Sequence, residues 1–155
     1  MMKGQILFVT DGSPSSEEAG KAAIEMALSW SVPIKVLYVL DEGWKHLLGD
    51  EWINTSATRM NFFHWYEDGL MKHSESVLNE FLQQAVNGGV NAEVEVRVGK
   101  TEKVIAEAAV AAEAALLVLP NPHSTAPAAA AGLRYNLNSL SKRVKCPIYI
   151  GPIIK

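Results

Sequence analysis

The sequence predicts a doubly wound α/β protein in which five parallel strands form one sheet with helices on both faces. Strand-like and helix-like segments alternate along the whole chain, and this alternation favours a parallel sheet with right-handed crossovers. Most of the strand candidates are short, nearly continuous apolar runs. Such runs are typical of strands that helices cover on both sides.

The first half of the chain begins with a βαβ unit. Residues 5–10 (QILFVT) form an apolar run followed by turn formers, which indicates a buried strand and a loop. Apolar residues at helical spacing then continue to about Trp30, and Ser15 or Ser16 is expected to cap this helix. Residues 34–40 (IKVLYVL) are the second strand, and a long helical pattern follows from about residue 58 to residue 86.

The second half continues the alternation. Residues 91–98 alternate polar and apolar side chains, which predicts a strand near an edge of the sheet with one face more exposed. Thr101 is expected to cap the next helix. Residues 115–119 (ALLVL) are the fourth strand, and a helix over about 133–144 and a short strand from residue 147 complete the pattern.

Composition limits the class of protein and its partners. The chain has 155 residues with 14 Lys+Arg and 17 Asp+Glu, so its net charge is -3. This balance does not favour a nucleic-acid or membrane partner. No linker or repeat interrupts the pattern, and we expect residues 1–155 to form one domain. Because Cys146 is the single cysteine and no signal segment opens the chain, a cytoplasmic location is expected.

The common catalytic and metal-binding motifs are absent from the sequence. The Gly99-Lys100-Thr101 turn lacks the glycine that a phosphate-binding P-loop needs at position 94, which is Val94. The four histidines show no metal-ligand spacing, and no serine lies in a nucleophile-elbow motif. We therefore predict no catalytic residue and no metal, and we interpret Cys146 as a small buried residue.

Two features stand out from this background. Asp11-Gly12-Ser13 ends the first strand, where a carboxylate and free backbone amides would face the switch point of a doubly wound sheet; the alternative is an ordinary Asx turn. The second feature is a concentration of aromatic residues in segment 44–66, which must cover the core, a subunit or a partner. Its members are Trp44, Trp52, Phe62, Phe63, Trp65 and Tyr66.

With these elements placed, nearly the whole chain resembles a universal stress protein domain. The resemblance depends on five segments in the family's order: ILFVTDGSPSSEEAGKAAIEMA at 6–27, IKVLYVLDE at 34–42, VRVGKTEKVIAEAA at 96–109, ALLVLP at 115–120 and KRVKCPIYI at 142–150. It implies a fold similar to the adenine nucleotide alpha hydrolases, with strand order 3-2-1-4-5. It also implies a homodimer, often paired through the last strand.

Members of this family divide into those that bind ATP or related nucleotides and those that do not. Binders carry a G-x-x-G motif after the fourth strand, followed nine residues later by G-S or G-T. Here Pro120 and His123 stand where the first two glycines would be, and the final pair falls near Arg134-Tyr135. Proline has no amide to donate and the other side chains obstruct close backbone approach, so the chain resembles the subgroup without the ATP-binding motif.

The resemblance implies a vestigial nucleotide pocket. Asp11 corresponds to the aspartate of that pocket, Val39 to the residue that contacts adenine, and Arg134 could supply charge to an anion. The predicted pocket comprises Thr10, Asp11, Gly12, Ser13, Val39, Pro120, Asn121 and Arg134. We therefore expect a non-enzymatic dimer in stress or metabolic signalling, with an unknown protein partner and no cofactor. The alternatives are a switch that binds ATP or AMP, and a ligand- or partner-binding module that uses segment 44–66.

Overall fold

The computed structural model of the protein describes residues 4–41, 56–122 and 133–154. Strands and helices alternate in these ranges as the sequence predicts. In chain order they are β1 (Gln5–Val9), α1 (Pro14–Trp30), β2 (Ile34–Asp41), α2 (Ser56–Asn87), β3 (Ala92–Gly99), α3 (Thr101–Ala111), β4 (Ala114–Leu119), α4 (Leu137–Arg143) and β5 (Ile148–Ile150). Of the helices in the described ranges, none combines the length and apolar character required to cross a membrane.

The strands form one sheet in the order β3-β2-β1-β4-β5. Every neighbouring pair is parallel, which confirms the predicted fold class. The central strand β1 pairs with β2 on one side and β4 on the other, and Ile6 is in register with both Ile34 and Leu116. The carboxyl ends of β1 and β4 therefore form the switch point, where ligands bind in folds of this kind.

The apolar strands separate two cores, because successive side chains of a strand point to opposite faces. Ile6 and Phe8 pack with α1 and α2 on one face, and the ring centroids of Phe8 and Phe81 are 4.8 Å apart. Leu7 and Val9 pack with α3 and α4 on the other face. Ile6 to Val9 are all buried, which explains why this strand is a continuous apolar run.

The two edge strands differ in chemistry. Strand β3 lies at an edge, as predicted, but neither of its faces is clearly more exposed, because Glu93 on one face and Val98 on the other are its exposed residues. Its charged side chains form ion pairs: Lys35 with Glu95 at 3.3 Å and Arg97 with Glu107 at 3.1 Å. Charged side chains on an edge strand discourage pairing with another chain. Edge strand β5 carries only the apolar residues Ile148–Ile150, and it lacks this protection.

Three predicted helix starts are wrong. Ser13, not Ser15 or Ser16, is the N-cap of α1, because Pro14 occupies the first helical turn and the Ser13 hydroxyl accepts from the Ser16 amide at 3.2 Å. Thr101 is the first residue of α3 rather than its cap, and Lys100 precedes it.

The last helix also begins later than predicted, at Leu137 instead of about Leu133. Asn136 caps it by accepting from the Ser139 amide at 2.9 Å. Leu133 has the apolar spacing of a helix, but its backbone is used in a contact with the first loop, described below.

Candidate functional site

The loop after β1 contains the Asx turn that was the alternative interpretation of this motif. The Asp11 Oδ1 atom accepts from the Ser13 amide at 2.9 Å, which is the i to i+2 bond of such a turn. Gly12 has a φ of 77°, in the left-handed region that favours glycine. A β-carbon at this position would also lie 2.7 Å from the Val77 side chain, so both the backbone and the packing require glycine.

The other amides of this loop also have partners within the protein. The Gly12 amide donates to Thr10 Oγ1 at 3.2 Å, and the Asp11 amide donates to Ser16 Oγ at 3.3 Å. The two hydroxyls are themselves bonded at 2.6 Å, and both residues are buried. The prediction of free amides facing the switch point is therefore wrong for this structure, because the hydroxyls of Thr10 and Ser16 use them.

The second oxygen of Asp11 connects the loop to the chain beyond β4. Asp11 Oδ2 accepts from the Leu133 amide at 3.0 Å, a contact between residues separated by 122 positions. Asp11 is 5% exposed and Leu133 is 4% exposed, so this bond is protected from water. Both oxygens of the carboxylate thus accept hydrogen bonds within the protein, one from the turn and one from the chain segment that begins at Leu133.

Ser15 joins the end of β4 to the C-terminal segment. Its hydroxyl accepts from the Asn121 amide at 2.9 Å and donates to the Pro152 carbonyl at 2.6 Å. The Asn121 side chain donates to the Gly151 carbonyl at 3.2 Å. Ser15 itself is fully buried, and it holds three chain segments together at the start of α1.

The structure brings most of the predicted pocket residues to the carboxyl end of the sheet. Residues 10–13 form the loop, and Val39 is buried at the end of β2 in the same apolar cluster as Leu133. Pro120 is buried, and its carbonyl accepts from the Tyr135 hydroxyl at 2.6 Å. Asn121 is half-buried and joins the loop through Ser15, while Arg134 is exposed. Whether these residues bind a ligand remains a prediction.

Several residues of this region were not predicted as site residues. His73 on α2 lies beside the loop, 3.5 Å from where a Gly12 β-carbon would be, and its ring meets Tyr38 edge-on with centroids 6.1 Å apart. Tyr135 and Leu133 approach from the chain after β4. No sequence pattern marks these residues, because each joins the site through a contact between distant segments.

Two tyrosines near Asp11 are held in their neutral form. Burial raises the pKa of Tyr38 to about 12, and the negative charge of Asp11 acts in the same direction. The pKa of Tyr135 is also raised well above its usual range, by burial first and by Asp11 second. Both phenols therefore act as hydroxyl groups rather than phenolates at neutral pH.

The raised pKa of Tyr38 predicts a loss of stability in alkali. Its pKa is about 12 in the folded protein against 10.0 for the free side chain, so the unfolded state loses the proton first. The contribution of Tyr38 is complete below about pH 10 and is lost as the pH rises through about pH 12. Tyr38→Phe has no such proton, and its unfolding free energy should decline less steeply between about pH 9 and pH 11.5. Urea unfolding measures this, and equal slopes in both proteins would contradict it.

One crevice beside the loop, on the side of α1 and α2, is small. A crevice of about 50 Å³ lies between α1 and α2, where it is lined by residues that include Thr10, Gly12, Ser16 and Val77. Pockets that hold drug-sized ligands have volumes of about 300–1,000 Å³. Within the parts of the chain that the structure describes, no group of three His, Cys, Asp or Glu side chains could hold a metal ion.

Two other predictions concern Cys146 and the aromatic segment 44–66. Cys146 is half-buried rather than buried, and burial raises the pKa of its thiol despite opposing backbone hydrogen bonds. This shift disfavours the reactive thiolate. For segment 44–66, Trp44 and Trp52 lie outside the described residues, and so do the side chains on the first turns of α2. The role predicted for this segment remains a prediction.

The fold and the position of the loop cluster define a doubly wound α/β protein with its candidate site at the switch point, a location that suits nucleotides. The profile of the Universal stress protein family matches residues 2–150. The chain belongs to this family, as its resemblance to universal stress proteins predicts. No curated protein matches the chain.

Solved structures show the same fold. Universal stress protein UspA from Lactobacillus plantarum has a TM-score of 0.74 at 19% identity, with 98% of this chain and 99% of that chain covered. The universal stress protein from Archaeoglobus fulgidus in complex with dAMP has a TM-score of 0.61 at 15% identity, covering 98% and 100%. A family protein from Arabidopsis thaliana with AMP bound has a TM-score of 0.59 at 16% identity, covering 96% and 90%.

Proposed function

We propose that the protein is a non-enzymatic universal stress protein of one domain that acts as a homodimer in stress or metabolic signalling and does not bind ATP. One observation carries this proposal: both oxygens of Asp11 are used by the Ser13 and Leu133 amides. A nucleotide that displaced either amide from this carboxylate would break a buried hydrogen bond, whose loss is costly. A nucleotide that displaced neither could bind only through the lone pairs that the two amides leave free.

The chain after β4 supports the same conclusion. Pro120, where nucleotide-binding relatives have a glycine, has no amide to donate to a phosphate. Its carbonyl accepts a hydrogen bond from the Tyr135 hydroxyl at 2.6 Å, so the end of β4 is held by a contact within the protein.

The test is calorimetric titration of ATP and AMP into nucleotide-free protein at about physiological ionic strength. We expect no binding of either nucleotide at micromolar concentrations. Micromolar affinity for ATP that Asp11→Asn weakens would overturn the proposal, because the missing glycines would then have been replaced by other phosphate ligands in the predicted pocket.

The homodimer is supported by the unprotected edge of β5. Tyr149 lies in β5 and is 39% exposed, and Ile153 lies in the segment after β5 and is 55% exposed. Ser15 holds that segment in place through the Pro152 carbonyl. An apolar edge of this kind can pair with the same edge of a second copy about a two-fold axis.

Ile153→Glu tests this edge. A carboxylate buried in an apolar interface has a high desolvation cost, so we expect light scattering to show the 16.9 kDa monomer in place of a dimer. The matched control is Val110→Glu on α3, where the side chain is 76% exposed and the dimer should persist. A dimer that survives Ile153→Glu would place the interface elsewhere.

The relatives crystallised with dAMP and AMP favour a second candidate function. This candidate is a site for an adenosine monophosphate, which needs no motif that binds a triphosphate. In this case Asp11 and Val39 would contact the nucleoside, and the exposed Arg134 would contact the phosphate. AMP binding that is weakened by Asp11→Asn and by Arg134→Ala would support this candidate. AMP affinity that neither variant changes would exclude it.

A further inference from the structure

Two basic segments that are far apart in the sequence meet at one cavity beside α3 and α4. The cavity has a volume of about 420 Å³ and is lined by Lys100, Thr101, Glu102, Lys103 and Arg143. The first four residues belong to the turn after β3 and the start of α3, and Arg143 is the last residue of α4. Packing of Leu140 against Val104 and Ile105 in one apolar cluster brings the two helices together.

Among the residues that the structure describes, the three cations of this cavity have no carboxylate partner. In the described ranges, other cations form ion pairs, such as Lys35 with Glu95 and Lys21 with Glu18. Within those same ranges, Lys100, Lys103 and Arg143 form no ion pair. Only one carboxylate, that of Glu102, lines the cavity with them.

The cavity therefore has an excess of two positive charges in a chain whose net charge is -3. Lys100, Lys103 and Arg143 are exposed, and the excess positive charge attracts an anion at this point of the surface. The start of α3 also favours a bound anion, because no side chain caps this positive end of the helix dipole. The argument depends on the converging cations, and the helix end only adds to them.

We propose that this cavity binds a compact oligophosphate, an anion of two or three linked phosphate groups. An arginine guanidinium binds a phosphate through two parallel hydrogen bonds, while a lysine ammonium acts as a point charge. Three separate cations match several phosphate groups better than one. The cavity shares no lining residue with the predicted nucleotide pocket, so this site is additional to the proposed function.

The test is calorimetric titration with inorganic tripolyphosphate at about 50 mM salt, where screening is weak. Lys100→Gln, Lys103→Gln and Arg143→Gln should each weaken binding by about two- to fivefold, the range of exposed ion pairs. Glu102→Gln should strengthen binding by a similar factor of about two to five, because it removes the opposing charge. Lys72→Gln is the matched control and should leave the affinity unchanged, because Lys72 is an exposed lysine on α2, which packs on the other face of the sheet from α3 and α4.

Weaker binding in the three cavity variants but not in Lys72→Gln would support the site, since a general change in net charge predicts equal effects for every lysine. The proposal is overturned if tripolyphosphate does not bind, if Lys72→Gln weakens binding as much as Lys100→Gln, or if Glu102→Gln has no effect. Adenosine, which has no phosphate, is the second probe, and no binding is expected. Adenosine binding would point to the predicted nucleotide pocket and count against the proposed function, whereas ATP binding weakened by Lys100→Gln and not by Asp11→Asn would come from the cavity. Failure of tripolyphosphate would contradict only the cavity proposal.

Discussion

Replacing Asp11 with alanine should lower the free energy of unfolding by about 2–5 kcal/mol. The substitution removes the acceptor of two amides, those of Ser13 at 2.9 Å and Leu133 at 3.0 Å. Both Asp11 and Leu133 are almost fully buried, so water cannot easily replace the lost acceptor. An unsatisfied buried donor costs about 1–3 kcal/mol, and this substitution leaves two of them.

Asp11→Asn distinguishes the contribution of each oxygen. Its amide oxygen can still accept from one backbone amide, but its NH₂ group faces the other donor. We expect a loss of about half that of Asp11→Ala, measured by urea unfolding. Glu75→Ala on α2 is the control, because Glu75 is exposed and such changes usually stay within about 0.5 kcal/mol. An Asp11→Ala protein as stable as the wild type would show that the bond to Leu133 does not form.

Gly20→Ala should destabilise the protein by about 1–3 kcal/mol, although alanine is the better helix former. Gly20 faces the first core from the middle of α1. A β-carbon there would lie 2.9 Å from the Phe81 ring and 3.0 Å from the Phe8 ring. These two rings pack against each other and are almost fully buried, so neither can move aside without disturbing the core.

Gly69→Ala in α2 is the matched control with the opposite expected sign. Gly69 is exposed, and no described atom lies within 4 Å of the place that a β-carbon would occupy there. Alanine should therefore stabilise the protein by about 0.5–1 kcal/mol through helix propensity alone. Thermal or urea unfolding of both variants measures the pair. If Gly20→Ala were as stabilising as Gly69→Ala, α1 would not lie as close to the two phenylalanine rings as the structure shows.

The sequence was sufficient to predict the sheet, because a strand that is buried on both faces is a nearly continuous apolar run. Leu7 and Phe8 are adjacent residues on opposite faces, and both are buried in different cores. The same requirement makes β2 and β4 apolar, whereas the mixed pattern of residues 91–98 correctly indicated an edge. Strand order and parallel direction then follow from the alternation with helices and from the family resemblance.

The helix starts show where local reasoning was insufficient. Ser15 and Ser16 have good capping chemistry, but their hydroxyls bond to partners outside the first turn: Ser15 to Pro152 and Asn121, and Ser16 to Thr10. The Ser15 to Pro152 bond joins residues 137 positions apart. No propensity scale contains that information, since the partner is supplied by the folded chain.

The sequence by itself determined the α/β class, the family and the loop Asp11-Gly12-Ser13 at the end of β1, because these depend on local patterns of apolar residues and turn formers. Only the tertiary structure decided what that loop does. The Asp11 carboxylate accepts a hydrogen bond from the Leu133 amide, and the Pro120 carbonyl accepts one from the Tyr135 hydroxyl. Arg143, Lys100 and Lys103 line one cavity. Each of these contacts joins segments that the sheet brings together from distant parts of the chain, so the hydrogen-bond partner or charged neighbour exists only after folding.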